Sequence, residues 1–166
     1  MRIAVIGFGA AAIGLLEKLK NSNHEVHVFE KSNDIYSSSI SGIRADGKLF
    51  VSTEMGGEIY IDPLLQRRFV EYYINFTDKR EVETGNSFAS EDYYRKFYEK
   101  GFLPISSQFF HIGTDQLKEV LFNIYEQFCK SANIRVHFST EVTEVKEQPD
   151  GVIVNGTERF DVAVIA

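Results

Sequence analysis

The chain has 166 residues, a length that suits one domain and lets such a domain bury roughly 70% of the surface that its unfolded chain exposes. Its formal net charge of −6 and its pI near 5.3 argue against nucleic acid as a partner, because binding a phosphate backbone requires a basic surface. A single cysteine, Cys129, excludes an internal disulfide, and no run of residues is long and apolar enough to cross a membrane, so we expect a cytoplasmic protein without a membrane partner.

The first thirty residues predict a strand, a turn, a helix and a second strand. Residues 2–6, RIAVI, are almost wholly apolar, as in a parallel strand buried on both faces. Gly7, Gly9 and Ala12 then fit the dinucleotide fingerprint G-x-G-x-x-G/A. A helical pattern follows the turn, and residues 25–29, EVHVF, predict the second strand. This order is that of a βαβ unit, which predicts an α/β fold built on a parallel sheet.

The glycines of the turn predict a site for two phosphates. Gly7 allows the sharp reversal out of the strand, and Gly9 has no β-carbon to hold a pyrophosphate away from the backbone. The following helix directs its free N–H groups and the positive end of its dipole toward the turn. We therefore assign a pyrophosphate to Gly7, Gly9, Ala10 and Ala11.

Glu30 stands at the carboxyl end of the second predicted strand. In a dinucleotide-binding fold this is where an acidic residue accepts hydrogen bonds from the adenosine ribose. A carboxylate there would repel a 2′-phosphate, so NADP is disfavoured, whereas FAD and NAD both stay open.

Several short runs beyond the second strand share a further resemblance. In chain order they are Glu30 with Lys31, a serine-rich loop at 31–43, DGKL at 46–49, STEMGG at 52–57 and HIGTDQL at 111–117. They resemble a group of largely uncharacterised FAD-dependent dehydrogenases in the glutathione-reductase-like flavoprotein superfamily. That group tends to carry paired glycines ahead of an S-D-G-K-L segment, whereas this chain has SISG at 39–42 and Ala45 in place of the serine. Gly42 is the only one of those glycines that is retained.

The resemblance implies a Rossmann-like parallel sheet with a GxGxxA dinucleotide turn, a helical insertion at about 62–110 and a β-meander. It also implies roles for three residues. Lys31 lies beside the ribose acid, Gly42 lets the backbone approach the flavin or the pyrophosphate, and Val142 lends its backbone to the adenine. FAD is then the expected cofactor, with NAD as the alternative.

The remainder of the chain predicts helices and then strands. Helices are expected to begin at Pro63 behind an Asp62 cap, to run from Ser90 to Tyr98, and to run over about 115–131. Strands are expected at 134–138, 141–147, 151–155 and 162–166. The first of these strands alternates apolar and polar residues, as at a sheet edge. The last is apolar on both faces, which is typical of a central parallel strand.

Catalytic and metal-binding residues are not evident. His111 is the nearest candidate for proton transfer, but no partner carboxylate can be identified, so the catalytic residues are unknown. The four histidines stand far apart in the sequence and Cys129 has no second cysteine, so no metal site is predicted. His137 is interpreted as a solvated or rim residue, and Cys129 as a core or spectator residue.

Residues 1–166 are thus expected to form a single FAD/NAD(P)-binding domain, truncated from a longer flavoprotein and inactive by itself. The first hypothesis is the FAD-binding N-terminal module of a flavin-dependent oxidoreductase, partnered by the missing C-terminal domain or by a second copy of the chain. An NAD-binding Rossmann domain without redox chemistry is the second, and a Rossmann-like interaction module that has lost its ligand is the third. Residues 31–113 favour the first over the second, because a plain NAD domain continues with strand, helix and strand after its ribose acid.

Overall fold

A computed structural model describes residues 1–36, 47–50, 60, 62–77, 83–86, 91–103 and 108–166. The predicted site residue Gly42 lies outside the described residues, as do the predicted helix cap Ser90 and the STEMGG run at 52–57. In chain order the described elements are β1 (Arg2–Ile6), α1 (Ala10–Leu19), β2 (Glu25–Phe29), β3 (Lys48–Phe50), α2 (Pro63–Ile74), β4 (Glu83–Asn86), α3 (Glu91–Tyr98), β5 (Gln108–His111), α4 (Thr114–Cys129), β6 (Ile134–His137), β7 (Val145–Gln148), β8 (Gly151–Val154), β9 (Glu158–Phe160) and β10 (Val162–Ile165).

The chain divides into two compact units. The first unit comprises Met1–Arg44 and Leu121–Ala166, and the second unit comprises Ala45–Val120, so the boundary between them falls within α4. No helix among the described residues combines the length and the apolar composition that crossing a membrane requires.

The first unit is built on a four-stranded parallel sheet with the strand order β10-β1-β2-β6. Apolar side chains of its two inner strands, such as Val5 and Val28, have no exposed surface. On α1, the side chains of Ala12 and Leu16 are likewise fully buried. The predicted α/β fold with a parallel sheet is therefore confirmed.

The sequence predicts the position in the sheet correctly for one of the two outer strands, β6, and not for the other, β10. Among the described strands β6 lies at an edge of the sheet, as its alternating pattern predicts. The apolar sequence of β10 predicts a central strand, but β1 is its one described neighbour and Ile165 is 83% exposed. An apolar run predicts that a segment forms a strand, but it does not predict how many neighbours that strand has.

A three-stranded antiparallel meander, β7-β8-β9, follows β6 in the chain. Phe160 and Val154 of the meander pack in one buried cluster with Ala4 and Phe29 of the parallel sheet. The meander is therefore joined to the parallel sheet by an apolar contact that involves both sheets.

A pair of histidines joins β2 to β6 beside this cluster. His27 is 4% exposed, and its Nδ1 lies 3.0 Å from Nε2 of His137. Nε2 of His27 lies 2.9 Å from a carboxylate oxygen of Glu25. When both rings are neutral, His27 therefore donates to Glu25 and accepts from His137. His137, predicted as a solvated or rim residue, is partly buried on the outer strand β6, and the parallel register of β2 and β6 sets its ring against those of His27 and Phe29.

We expect the free energy of unfolding to fall as the pH is lowered from 7 to 5, with His137 as one cause. Burial, and then the nearby His27, hold the pKa of His137 below its usual value of 6.5. Below pH 6.5 the unfolded chain therefore binds more protons than the native state, so this contribution to stability is lost as the pH falls through the native pKa. A difference of one bound proton between the unfolded and native states changes the free energy of unfolding by at most about 1.4 kcal/mol per pH unit. Urea unfolding at a series of pH values should show a shallower decline for His137→Phe, and an unchanged decline would contradict this role.

The second unit contains a three-stranded antiparallel sheet, β3-β5-β4, together with α2 and α3. α2 begins at Pro63, as predicted, and a carboxylate oxygen of Asp62 accepts a hydrogen bond from the N–H of Leu64 at 2.7 Å. Tyr73 on this helix is almost fully buried, and its burial raises its pKa to about 12. α3 has no buried residue.

Asp62→Ala is expected to lower the free energy of unfolding by about 1 kcal/mol, because an N–H group of the first turn of α2 loses its acceptor. Glu71→Ala is the matched control, since it removes an exposed carboxylate from the same helix away from its first turn. Urea unfolding followed by circular dichroism compares the two variants. Equal losses in both variants would show that the Asp62 cap contributes nothing.

Candidate functional site

The turn between β1 and α1 is the centre of the candidate site. Gly7 has a φ of 94°, in the left-handed region that favours glycine. Its N–H donates a hydrogen bond to the carbonyl of Phe29 at 2.9 Å, which ties the ends of β1 and β2 together. A β-carbon at Gly7 would overlap the carbonyl oxygen of Ala166. Both the conformation and the space at this position therefore require glycine.

The N-terminus of α1 has no side-chain cap. Its N-cap residue is Gly9, no side-chain hydrogen bond forms at this cap within the described residues, and the first turn carries no acidic residue. The first N–H groups of a helix have no partners within the helix, and the helix dipole adds positive potential beside them. This end of α1 is therefore able to bind an anion such as a phosphate.

Glu30 lies beside this turn, with 6% of its surface exposed. One carboxylate oxygen accepts a hydrogen bond from the N–H of Phe8 at 2.9 Å, and the other accepts one from the N–H of Ser32 at 2.8 Å. Burial raises the pKa of this carboxyl, but the bonds from Ser32 and Phe8 outweigh it and hold the pKa below the usual value of 4.5. Glu30 is therefore ionised at neutral pH, and its oxygens keep lone pairs for the hydroxyl groups of a ligand.

Backbone hydrogen bonds bring a third segment, residues 140–142, to the same place. The N–H of Glu30 donates to the carbonyl of His137, and the N–H of Thr140 donates to the carbonyl of Glu30, both at 2.9 Å. The N–H of Ser139 donates to the carbonyl of Ser32, also at 2.9 Å. The chain that leaves β6 is thereby held against the end of β2.

The turn, Glu30 and this third segment line one cavity of about 470 Å³, a volume typical of small-molecule sites. The lining residues are Ile6, Gly7, Phe8, Gly9, Ala10, Ala11, Phe29, Glu30, Lys31, Thr140, Glu141, Val142 and Ala166. Among them are seven predicted site residues, namely Gly7, Gly9, Ala10, Ala11, Glu30, Lys31 and Val142. The eighth, Gly42, lies outside the described residues.

Phe8 is a lining residue that the sequence pattern did not identify, because it occupies an unspecified position of the fingerprint. It is 1% exposed, and its ring lies 6.3–6.4 Å from those of Tyr125, Phe128 and Phe138. Tyr125 and Phe128 belong to α4, so Phe8 anchors the turn on that helix. An aromatic residue in a loop of small residues is the one signal in the sequence that could have indicated this anchor.

The remaining candidates of the sequence lie elsewhere or remain without a role. His111 is on β5, in the second unit. Cys129, the last residue of α4, is exposed and has a free thiol. Within the described ranges, no three His, Cys, Asp or Glu side chains are grouped as metal ligands. The site therefore offers groups that bind a ligand, and no catalytic group is assigned.

No protein-family model matches the chain, and no curated protein sequence matches it significantly. Solved structures do match. Glycine oxidase from Geobacillus kaustophilus superposes with a TM-score of 0.51 and 16% identity over 99% of this chain and 55% of its own. PqsL, a probable FAD-dependent monooxygenase from Pseudomonas aeruginosa, gives a TM-score of 0.52 and 12% identity over 99% of this chain and 41% of its own. CtdE, solved in complex with FAD, gives 0.51 and 15% over 99% of this chain and 37% of its own.

At these identities the likeness shows the fold alone. The chain has a mixed α/β fold with a parallel sheet, and that fold is shared with FAD-dependent proteins. It spans about half the length of the glycine oxidase and less than half the length of the other two proteins.

Proposed function

We propose that this chain is the FAD-binding N-terminal module of a flavin-dependent oxidoreductase. One observation carries the proposal: a single cavity joins the Gly7 turn, the uncapped start of α1 and the ionised, buried carboxylate of Glu30. An anion site and a hydroxyl acceptor, held side by side, match the pyrophosphate and the ribose of an adenine dinucleotide. The turn then acts as the GxGxxA dinucleotide turn of a Rossmann-like fold.

The residues of the cavity take separate roles in this proposal. Backbone groups of Gly7, Gly9, Ala10 and Ala11 bind the pyrophosphate, and Glu30 accepts hydrogen bonds from the ribose. Lys31 lies beside the ribose, and Val142 offers its backbone to the adenine. The role of Gly42, which lies outside the described residues, rests on the family resemblance alone. When bound, FAD would supply transfer of hydride or electrons, while the protein binds and orients it.

FAD is proposed over NAD because of what lies between β2 and β6. These neighbouring strands are separated in the chain by the whole of the second unit, Ala45–Val120. A plain NAD domain connects successive strands through one helix. PqsL, a probable FAD-dependent monooxygenase, and CtdE, solved in complex with FAD, share this chain's fold over 99% of its length.

We further propose that the chain belongs to a longer cytoplasmic protein and that its partner is the remaining part of that protein or a second copy. Two observations support a further domain or a second copy as the partner. The chain covers only part of each solved structure it resembles, and Tyr93 and Phe97 on α3 are both more than half exposed. Exposed aromatic clusters commonly mark interaction surfaces. The acidic net charge of −6 argues against nucleic acid as a further partner.

Calorimetric titration of the 166-residue chain with FAD, ADP and NAD tests the proposal, together with the visible absorption spectrum of the purified protein. We expect FAD to bind and ADP to compete with it, because both carry the ribose and the diphosphate that the cavity accepts. Binding of NAD without binding of FAD would assign the chain to the NAD-binding domains. Binding of none of the three would overturn the proposal in favour of an interaction module without a ligand.

A further inference from the structure

Residues 141–144 form the segment that enters the meander, and the side chain of Asn155 holds this segment in place. Nδ2 of Asn155 donates to the carbonyl of Glu141 at 2.9 Å, and Oδ1 accepts from the N–H of Thr143 at 2.9 Å and from that of Glu144 at 3.4 Å. The N–H of Asn155 also donates to the carbonyl of Glu144 at 2.9 Å. One side chain thus replaces the strand partner that these residues lack.

The bonds to Asn155 leave out one residue of the segment, Val142. Within the part of the chain that the structure describes, neither the N–H nor the C=O of Val142 has a hydrogen-bond partner. Its side chain is partly buried and packs against the cluster that contains Phe29 and Phe160. Val142 also lines the cavity beside Glu30. A peptide donor and a peptide acceptor are therefore held beside the candidate ribose position without a partner of their own.

We propose that Asn155 is a positioning residue that holds the backbone of Val142 in place to bind the adenine of the dinucleotide. The inference rests on the proposed function. Adenine presents a donor at its 6-amino group next to an acceptor at N1, and one residue's C=O and N–H can satisfy both. Without the hydrogen bonds to Asn155, residues 141–144 would have to become ordered when the ligand binds, and the entropy lost in this ordering weakens binding.

The conformation of Asn155 allows its replacement without loss of the turn. Its φ is 50° and that of Gly156 is 72°, as expected for an Asn-Gly turn between antiparallel strands. Glycine therefore preserves the turn at position 155 and removes only the side-chain bonds. Aspartate keeps an acceptor for Thr143 and Glu144 and loses the donor to Glu141.

The test compares ADP with purine riboside 5′-diphosphate, which lacks only the 6-amino group. We expect the wild-type chain to bind ADP about fivefold more tightly, the size of effect that one net hydrogen bond gives. In Asn155→Gly this ratio should fall to about 1, whereas a general loss of stability would weaken both ligands equally and leave the ratio unchanged. Asn155→Asp should give an intermediate ratio, above that of Asn155→Gly and below that of the wild type, because it keeps the acceptor and loses the donor to Glu141. Asn21→Gly is the matched control, because Asn21 also has a positive φ, of 64°, and lies outside the cavity lining.

The outcomes separate this inference from the proposed function. A wild-type chain that binds FAD and ADP but does not discriminate between the two diphosphates would overturn the inference alone. An unchanged ratio in folded Asn155→Gly would do the same, with folding checked by thermal unfolding. If that variant does not fold, a wild-type ratio in Asn155→Asp would count equally against the inference. A wild-type chain that binds neither FAD nor ADP would overturn both.

Discussion

Gly7→Ala is expected to lower the free energy of unfolding by about 3 kcal/mol and to abolish nucleotide binding. Two physical reasons combine. The φ of 94° is strained for any residue with a side chain, and the new methyl group would overlap the carbonyl oxygen of Ala166. The turn must shift to relieve this strain and this overlap. The shift would stretch the hydrogen bond from the N–H of Gly7 to the carbonyl of Phe29 and displace the start of α1. The N–H groups proposed to bind the pyrophosphate move with it.

Gly14→Ala is the matched control for this prediction. Gly14 lies within α1, and a β-carbon there would meet no atom within 4 Å. Alanine is the better helix former, so this variant should be more stable than the wild type by up to about 1 kcal/mol. Urea unfolding and FAD titration of both variants give the comparison. A Gly7→Ala protein with wild-type stability and wild-type FAD affinity would contradict the role of this turn.

The first part of the fold could be predicted because it depends on local rules. The apolar run at Arg2–Ile6, the turn and the strand Glu25–Phe29 are consecutive in the chain, and each is specified by its own residues. Glu30 could be placed beside the turn because neighbouring parallel strands end at the same edge of a sheet. Its bond to the N–H of Phe8 could not be predicted from the spacing, since the fingerprint leaves that position unspecified.

The parts that escaped prediction depend on contacts between distant residues. The sequence pattern predicts a strand that starts at Glu141, but β7 begins at Val145, because Asn155 takes the hydrogen bonds that a strand partner would have taken. His27 and His137 meet only through the register of β2 and β6, which the polar alternation of each strand alone does not show. A residue pattern describes a segment, whereas these features belong to pairs of segments.

Glu30→Ala is expected to lower the free energy of unfolding by about 3 kcal/mol. The substitution removes the acceptors of two backbone donors, the N–H groups of Phe8 and Ser32, and the first of these bonds is buried. A buried donor without a partner keeps its full desolvation cost. FAD affinity should fall by about tenfold or more, because both the ribose acceptor and the position of the turn are lost. Urea unfolding and FAD titration measure the two effects.

Glu30→Gln separates the charge of this residue from its hydrogen bonds. The amide retains one acceptor oxygen, so the loss of stability should be smaller than in Glu30→Ala. The wild-type contribution is present above pH 4.5, where the unfolded carboxyl is ionised, and is lost as the pH falls through the lower native pKa. The free energy of unfolding of the wild type should therefore decline more steeply below pH 4.5 than that of Glu30→Gln. An identical acid decline in the two proteins would contradict a lowered pKa.

Glu30→Gln also tests whether the carboxylate of Glu30 lies at the ribose of the bound nucleotide. The negative charge of Glu30 should weaken binding of 2′-phospho-ADP-ribose relative to ADP-ribose in the wild type by about tenfold, and Glu30→Gln should narrow this difference because the repulsion is removed. Glu17→Gln is the control, since it neutralises a partly exposed carboxylate on α1 that does not line the cavity. Because backbone displacement would weaken both ligands, the ratio reports the charge at the ribose and not the integrity of the turn. A ratio that is the same in Glu30→Gln and in the wild type would remove Glu30 from the ribose site while leaving its structural role intact.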